Sequence, residues 1–379
     1  MECPHIPEIR YSEFSRRIHE AVASERIPIS GSIEVTERCN LRCAHCYINQ
    51  PAGDREIMAR ELTYQQWCSI IDQIVDEGCM WLLLTGGEPF VRPDFLDIYT
   101  YCKKKGMLIT LFTNGTLITP EIADYLSDYC PFSVEITVYG RTKETYERVT
   151  GVPGSYERCM RGIELLLERK VPLQLKTMVM TLNVHELYDL KQWAESLGVK
   201  FRYDPQLNGR VDGSGPARVQ VLRLPPEQVV ALDAADEKRL ASWKQFAAKF
   251  WGPPKTDKLF LCGAGLVTFA ISADGGLSPC IMVRQQACSL RNTPFADGWR
   301  NRLLEMVSVK ARLNTPCRNC EKSALCGQCP GWALLEHGDP EMPVKYLCDI
   351  ARLRARLLAS SGAVVPLTED VFPEEVDML

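Results

Sequence analysis

Short apolar, β-rich runs alternate with longer amphipathic stretches through roughly the first 205 residues. The apolar runs fall at Gly31–Thr36, Met80–Thr85, Leu108–Thr113, Phe132–Val138, Leu173–Met180 and Val199–Tyr203. Helical periodicity occupies 61–77, 93–105, 119–128, 155–169 and 185–197. Thr63 and Gln66 stand at the spacing of a capping box and mark one helix start. Strands alternating with helices at this spacing predict a parallel sheet with helices outside it. Six such units fit a partial barrel or an open doubly wound sheet, and the pattern alone does not choose between them. Asp204–Pro226 is rich in Gly, Pro and Arg and reads as a linker or elaborated loop, with a helix over about 226–250. From about 256 the pattern changes to short strands, Gly turns and clustered Cys. Residues after about 361 are acidic and Pro-containing and read as a loose tail.

Charge and length exclude several classes. A chain of 379 residues carries net charge −4, so no basic face is implied and nucleic acid is disfavoured as a partner. No apolar run reaches the roughly 18 residues of a membrane span, and the charged start MECPHIPEIR is not a signal peptide. The expectation is a cytoplasmic protein without membrane or nucleic-acid partners.

Cysteine changes the picture. There are 17, an odd number that excludes complete internal pairing. With no secretory signal, such abundance points to metal. Three lie at 39, 43 and 46, eight fall between 262 and 348, and Cys3, Cys68, Cys79, Cys102, Cys130 and Cys159 are scattered.

The first group occupies a loop after the first strand, Glu37-Arg38-Cys39-Asn40-Leu41-Arg42-Cys43-Ala44-His45-Cys46-Tyr47. Three thiolates at Cys-x3-Cys-x2-Cys can hold three irons of a four-iron cluster and leave the fourth open. The alternative is structural zinc. Three Cys are one short of a closed tetrahedral set, and His45, beside Cys46, would be a strained fourth ligand. The second strand ends in Thr85-Gly86-Gly87-Glu88-Pro89, about 40 residues on. Read alone this is a turn, but ligands of parallel α/β folds gather at that sheet edge.

Together these segments resemble the radical S-adenosylmethionine (AdoMet) superfamily, over roughly residues 30–205. The resemblance implies a partial (β/α)6 TIM-like barrel followed by a small Cys-rich α+β domain. It implies that Cys39, Cys43 and Cys46 carry the catalytic 4Fe–4S cluster, with Tyr47 as the aromatic of that motif. Gly86, Gly87, Glu88 and Pro89 resemble the GGEP motif, which receives the AdoMet amino group. Asn114, closing the third strand, Thr137 and Arg148 are the further cofactor-binding candidates. Thr137 stands where relatives often have Ser near the AdoMet carboxylate or ribose, and Arg148 is a partner for that carboxylate. Read without the resemblance, Thr137 is a strand residue and Arg148 a solvated helix residue.

In the C-terminal region Cys262 is followed by Gly275-Gly276-Leu277-Ser278-Pro279-Cys280, then Cys317-x2-Cys320-x5-Cys326-x2-Cys329, then Cys348. Taken alone, paired Cys-x2-Cys motifs read as a zinc ribbon or knuckle. Behind this core the seven cysteines resemble the SPASM extension, which holds two auxiliary 4Fe–4S clusters. The resemblance implies Cys317, Cys320, Cys326 and Cys348 on an outer cluster and Cys262, Cys280 and Cys329 on an inner one. Two departures stand out. The spacing before Cys329 is x2 where relatives have x3, and no second Cys lies between 262 and 280. The inner cluster therefore keeps an open iron, or Cys288 closes it. Cys288 is otherwise a small buried hydrophobe.

The expected organisation is an N-terminal segment (1–29), radical AdoMet core (30–205), linker and bridging helix (206–255), auxiliary-cluster domain (256–360) and acidic tail (361–379). The resemblance implies an oxidoreductase or peptide-modifying enzyme: AdoMet is cleaved to a 5′-deoxyadenosyl radical that takes hydrogen from a peptide or protein substrate. Crosslinking, thioether formation and epimerisation are typical outcomes. The electron comes from an external donor such as flavodoxin or ferredoxin. Only 38 residues precede Cys39, too few for the peptide-binding module of about 80 residues in many maturases, so a separate partner delivers the peptide or it binds directly. Ile281 after Cys280, where sulfatase-maturating relatives have Asp, argues against that subgroup. The rivals are a small-molecule or tetrapyrrole enzyme of the haem-pathway decarboxylase type and a zinc-binding interaction module.

Overall fold

The computed structural model describes residues 9–48, 50–211, 217–312 and 315–361. Two compact units emerge, one formed by Met1–Arg223 with Lys258–Lys310, the other by Leu224–Asp257 with Ala311–Leu379. No helix among the described residues is long and apolar enough to cross a membrane.

The first unit opens with helix α1, Tyr11–Val22, in the segment where the sequence pattern predicted no element. It buries no residue fully. It lies against the sheet through the ring contacts Tyr11–Phe132 and Phe14–Trp81. The alternating units follow: β1 Ser30–Glu34, α2 Tyr64–Asp76, β2 Trp81–Thr85, α3 Phe95–Lys104, β3 Leu108–Thr113, α4 Pro120–Asp128 and β4 Ser133–Thr137. Next come α5 Lys143–Thr150, α6 Ser155–Glu168, β5 Leu173–Met178, α7 Leu187–Ser196 and β6 Lys200–Asp204. The six strands pair in parallel in chain order, which is the partial (β/α)6 architecture. The Thr63–Gln66 capping box forms and starts α2, whose Trp67, Ile70, Ile71 and Ile74 are buried. Alternate strand residues face these helices: Leu82 and Leu84, Ile109 and Leu111, Val134 and Ile136, and Leu175 all lie in one core. Residues of the opposite parity point to the inner face of the sheet.

Three expectations change. The sheet continues past β1, because β7 (Thr268–Ile271) pairs with it in parallel, with Ser30 opposite Thr268. The strands β8 (Gly276–Ser278) and β9 (Cys288–Ser289) then extend it antiparallel. Backbone pairing thus ties 258–310 to the first unit, whereas the sequence grouped 256–360 together by cysteine content. Second, residues just beyond 205 are not a bare linker. Arg210 donates to the carbonyls of Cys46 (3.2 Å) and Ile48 (3.1 Å), the Val211 N–H donates to Tyr47 O, and Arg223 donates to Leu207 O. Residues 212–216 of that segment lie outside the described residues. Third, the helix expected over 226–250 is two, α8 Pro226–Ala235 and α9 Glu237–Phe250. Asp236 breaks it: its backbone is extended and its carboxylate caps the Lys238 and Arg239 amides.

The second unit is helical: α8, α9, a turn at Ser323–Cys326, α10 Pro330–His337 and α11 Lys345–Ser360. Ala247, Leu325, Ala351, Ala355 and Leu358 form one cluster of its apolar core, and Val229, Ala333, Leu347 and Ile350 are buried as well. Asp233, fully buried, receives Arg354 and Arg239 at 2.8 Å each, so the charge is paired where it is desolvated. The acidic tail after 361 lies outside the described residues.

Candidate active site

The two N-terminal motifs are built against each other. The Gly87 N–H donates to Thr36 O (2.8 Å) and the Glu88 N–H to Arg38 O (2.9 Å), fixing the turn after β2 to the start of the cysteine loop. The approach leaves no room for side chains. A Cβ on Gly86 would sit 2.2 Å from Thr36 O, and one on Gly87 2.3 Å from Arg38 O. Gly86 also has φ +144°, where other residues are strained. A Gly87→Ala variant is therefore expected to lose about 1–3 kcal/mol of stability. Calorimetry checks this: an unchanged melting temperature would show that the two segments can separate at no cost.

Beneath the loop lies a buried charge network that the motif reading missed. Arg38, 3% exposed, pairs with Glu61 through Nε (2.8 Å) and Nη2 (2.9 Å). Arg92 reaches Glu61 at 3.4 Å, Asp94 at 2.8 Å and the carbonyls of Val35 and Leu62. Arg38, between two motif positions, and Arg92, three residues past Pro89, were the available signals.

Glu88 is fully buried and accepts three donors from its own chain: Asn114 N–H (2.7 Å), Thr113 Oγ1 (2.8 Å) and Phe90 N–H (3.2 Å). Asn114 in turn donates from Nδ2 to Asn40 Oδ1 (2.9 Å) and to Cys39 Sγ (3.7 Å). One side chain thus joins the ends of β2 and β3, and a second carries the connection to the first cysteine. Burial pushes the Glu88 carboxyl up to about 7, against the lowering effect of its donors. Since this raises the folded-state pKa, its stability contribution is full below the ordinary carboxylate pKa and is lost as pH rises through about 7. Glu88→Ala strands three donors and is expected to cost about 2–4 kcal/mol. Glu88→Gln should lose less and flatten the fall in stability between about pH 4.5 and 7. Thermal denaturation across that range is the check; identical slopes in wild type and Glu88→Gln would contradict it.

Pro89 is buried and opens the short turn Pro89–Val91. The three loop thiols sense one another. Burial, then Glu88, then Cys46 push the Cys39 thiol up to about 12, while N–H groups from Leu41 (3.3 Å) and Asn114 favour its thiolate. Burial, then Cys46 and Cys39, push the Cys43 thiol far up. Thiolates in such a place need a compensating cation. Among the described residues no three His, Cys, Asp or Glu side chains converge tightly enough to chelate one ion. A four-iron cluster presents its irons at separate corners, so its ligands surround a space. His45 packs edge-on against Tyr139, ring centroids 5.0 Å apart, with Nε2 3.4 Å from the tyrosine hydroxyl.

Tyr47 donates to Glu34 Oε1 (2.7 Å), and Arg284 pairs with the same carboxylate at 2.6 Å. Arg284 lies 3.6 Å from Glu37, and its guanidinium sits over the Tyr47 ring. Four residues after Cys280, it reaches the cysteine loop, a role the sequence did not reveal. Burial raises the Cys280 thiol, with exposed Cys262 adding to it. Cys288 sits in β9 opposite Leu277 and packs against the core. Thr137 ends β4 on the inner face of the sheet, half-buried. Arg148 stands exposed on α5.

In the second unit Cys317, Cys320, Cys326 and Cys348 are brought together from the Pro316–Asn319 turn, the Ser323–Cys326 helix and α11. Burial pushes Cys317 up to about 12, with Cys348, Cys326 and Cys320 adding to it. Burial, with Cys348 and Cys320 adding, takes Cys326 to about 11. Cys329 caps α10, its sulfur accepting the Trp332 N–H at 3.3 Å. Cys79, Cys102 and Cys159 are buried core residues, and Cys3 lies outside the described residues.

The first unit is thus a parallel βα sheet whose first strand feeds a three-cysteine loop, locked to a Gly-Gly-Glu-Pro turn. Residues 33–194 match the radical SAM superfamily, and the C-terminal region is cysteine-rich like that of SPASM-type maturases. It is 28% identical to an AdoMet-dependent heme synthase of Methanosarcina barkeri over 326 residues, 81% of this chain and 92% of that protein. It is 27% identical to the antilisterial bacteriocin subtilosin biosynthesis protein AlbA of Bacillus subtilis, over 80% of this chain and 67% of that one. The fold matches SuiB of Streptococcus suis, crystallised with its precursor peptide SuiA, with TM-score 0.67 at 16% identity, covering 92% of this chain and 84% of that one. The protein is a radical SAM enzyme, and the family implies a 4Fe–4S cluster and AdoMet.

Proposed function

We propose that Cys39, Cys43 and Cys46 hold the catalytic cluster and that the Gly86–Pro89 turn and Asn114 bind AdoMet beside it. The observation that carries this reading is the hydrogen-bonded connection from Cys39 through Asn114 to Glu88. When bound, reduced cluster and AdoMet together supply a 5′-deoxyadenosyl radical that takes hydrogen from a substrate carbon. The chain's own residues orient and protect. Leu41 and Asn114 donate to the Cys39 sulfur, which favours the ligating thiolate. Arg210 and Val211 hold the carbonyls of the loop and so fix its course. Glu88 also positions the turn, through the bonds its carboxylate accepts from Asn114, Thr113 and Phe90. An auxiliary cluster on Cys317, Cys320, Cys326 and Cys348 completes the reading within the second unit. An external flavodoxin or ferredoxin supplies electrons.

The substrate in this reading is a peptide or protein, supported by a relative named for bacteriocin biosynthesis. A second reading, a carboxylate-bearing tetrapyrrole, is favoured by relatives named heme synthase, one of them matched over 92% of its length. The test is anaerobic incubation of reconstituted enzyme with AdoMet and dithionite, followed by 5′-deoxyadenosine assay. Candidate deuterated substrates of each class are then added, and deuterium in the 5′-deoxyadenosine identifies the class. No 5′-deoxyadenosine under any condition would overturn the reading.

A further inference from the structure

The inner face of the sheet carries a cluster of charges that no motif accounts for. Side chains opposite one another in a parallel ladder share a face. One row runs Phe112, Glu135, Gln174 and Lys200 across β3 to β6, and the next runs Thr137, Lys176 and Arg202 across β4 to β6. Within these rows Glu135 faces two cations at once, Lys176 Nζ at 3.4 Å and Arg202 at 2.5 Å. Glu135 and Lys176 keep only 12% and 15% of their side-chain surface, whereas Arg202, on the edge strand, keeps 56%. The Lys176 ammonium lies over the Phe112 ring, and the Arg202 guanidinium is 5.8 Å from the same ring.

Two cations sharing one carboxylate leave a surplus positive charge. For Lys176 that surplus lies where water is scarce. Burial, with Arg202 adding, lowers its ammonium well below the usual lysine range, and Glu135 offsets this only in part. Pairing is what makes a buried charge tolerable, and a ring face compensates less than an anion does. The face is also hydrogen-bond equipped: Gln174 donates to Ser133 Oγ (3.1 Å), and Thr137 stands beside Lys176. A single surplus charge, offered by one point-like ammonium and one planar fork, suits a carboxylate.

We propose that Lys176 and Arg202 form a carboxylate-binding subsite for the substrate on the inner face of the sheet, with Glu135 holding both cations in place until the substrate arrives. This rests on the radical SAM reading. It predicts that the substrate, peptide or small molecule, presents an acidic group to β5 and β6 while its reacting carbon lies toward the cysteine loop.

Calorimetric titration of the anaerobically reconstituted enzyme tests the subsite by binding alone. One pair of probes is coproporphyrin III and its uncharged tetramethyl ester. The other is a capped Gly-Gly-Glu-Gly-Gly peptide and its Gln counterpart. The expected result is saturable binding of the acid form in at least one pair, which also tells which source supplies the carboxylate. Lys176→Met should weaken that binding roughly tenfold and Arg202→Gln about threefold, whereas Glu135→Gln, which removes the competing anion, should strengthen it. Arg202 is half-exposed, so its variant serves if Lys176→Met does not fold. Equal binding of acid and neutral forms, indifference to these substitutions, or saturable binding in neither pair would overturn the proposal. So would a loss in Lys176→Met that falls on AdoMet affinity, since the lysine would then serve the cofactor. Wild-type AdoMet cleavage, measured in parallel, separates failure of this subsite from failure of the radical SAM reading.

Discussion

A Cys43→Ala variant is expected to form no 5′-deoxyadenosine from AdoMet and to lose about four irons per chain after anaerobic reconstitution. The Cys43 thiol is raised first by burial and then by Cys46 and Cys39. With it gone, two thiolates are too few to hold a cluster that leaves one iron open. The surrounding structure cannot supply a substitute, because His45 is turned against Tyr139. Iron analysis and chromatographic detection of 5′-deoxyadenosine are the measurements. A Cys43→Ala protein that still cleaves AdoMet under reductant would contradict the assignment of the loop.

A Cys348→Ser variant should lower iron by about four per chain and destabilise the second unit. Four thiols meet there from two short turns and α11, and burial first, then charge on Cys348 and Cys320, raises the Cys317 and Cys326 thiols. Buried apolar residues of that unit flank the thiols on the same elements, Leu325 before Cys326 and Leu347 and Ile350 around Cys348. Metal binding to deprotonated ligands contributes folding free energy directly, and here the ligands sit on the elements that form the core. Loss of one ligand should therefore show both in the iron count and as an earlier unfolding step. Iron near four in the wild-type protein, with zinc on the C-terminal cysteines, would replace the auxiliary clusters with a zinc module.

The sequence by itself determined the alternation of strands and helices, because burial on the helix-covered side of the sheet imposes a period that any reader of Ile109, Leu111, Val134 and Ile136 can see. It also located the cysteine loop and the Gly-Gly-Glu-Pro turn, since ligand spacing and glycine placement are local properties. Tertiary structure decided what depends on distant backbone meeting. That β7 pairs with β1 is invisible in the pattern, as four residues of Thr268–Ile271 look alike wherever they pair. Asp236 splitting a helix in two follows from its extended backbone and its capping of the Lys238 and Arg239 amides, which helix-forming neighbours on both sides conceal. Arg284 reaching Glu34 from 250 residues away, and the Tyr47 ring beside it, follows from the course of the chain, not from any spacing. The inner-face charges follow the same rule. Glu135, Lys176 and Arg202 read as ordinary polar positions of half-buried strands, and only register across three strands makes them neighbours. Local periodicity records which side of a strand is buried in apolar core, and only the assembled sheet determines which polar side chains share its other side.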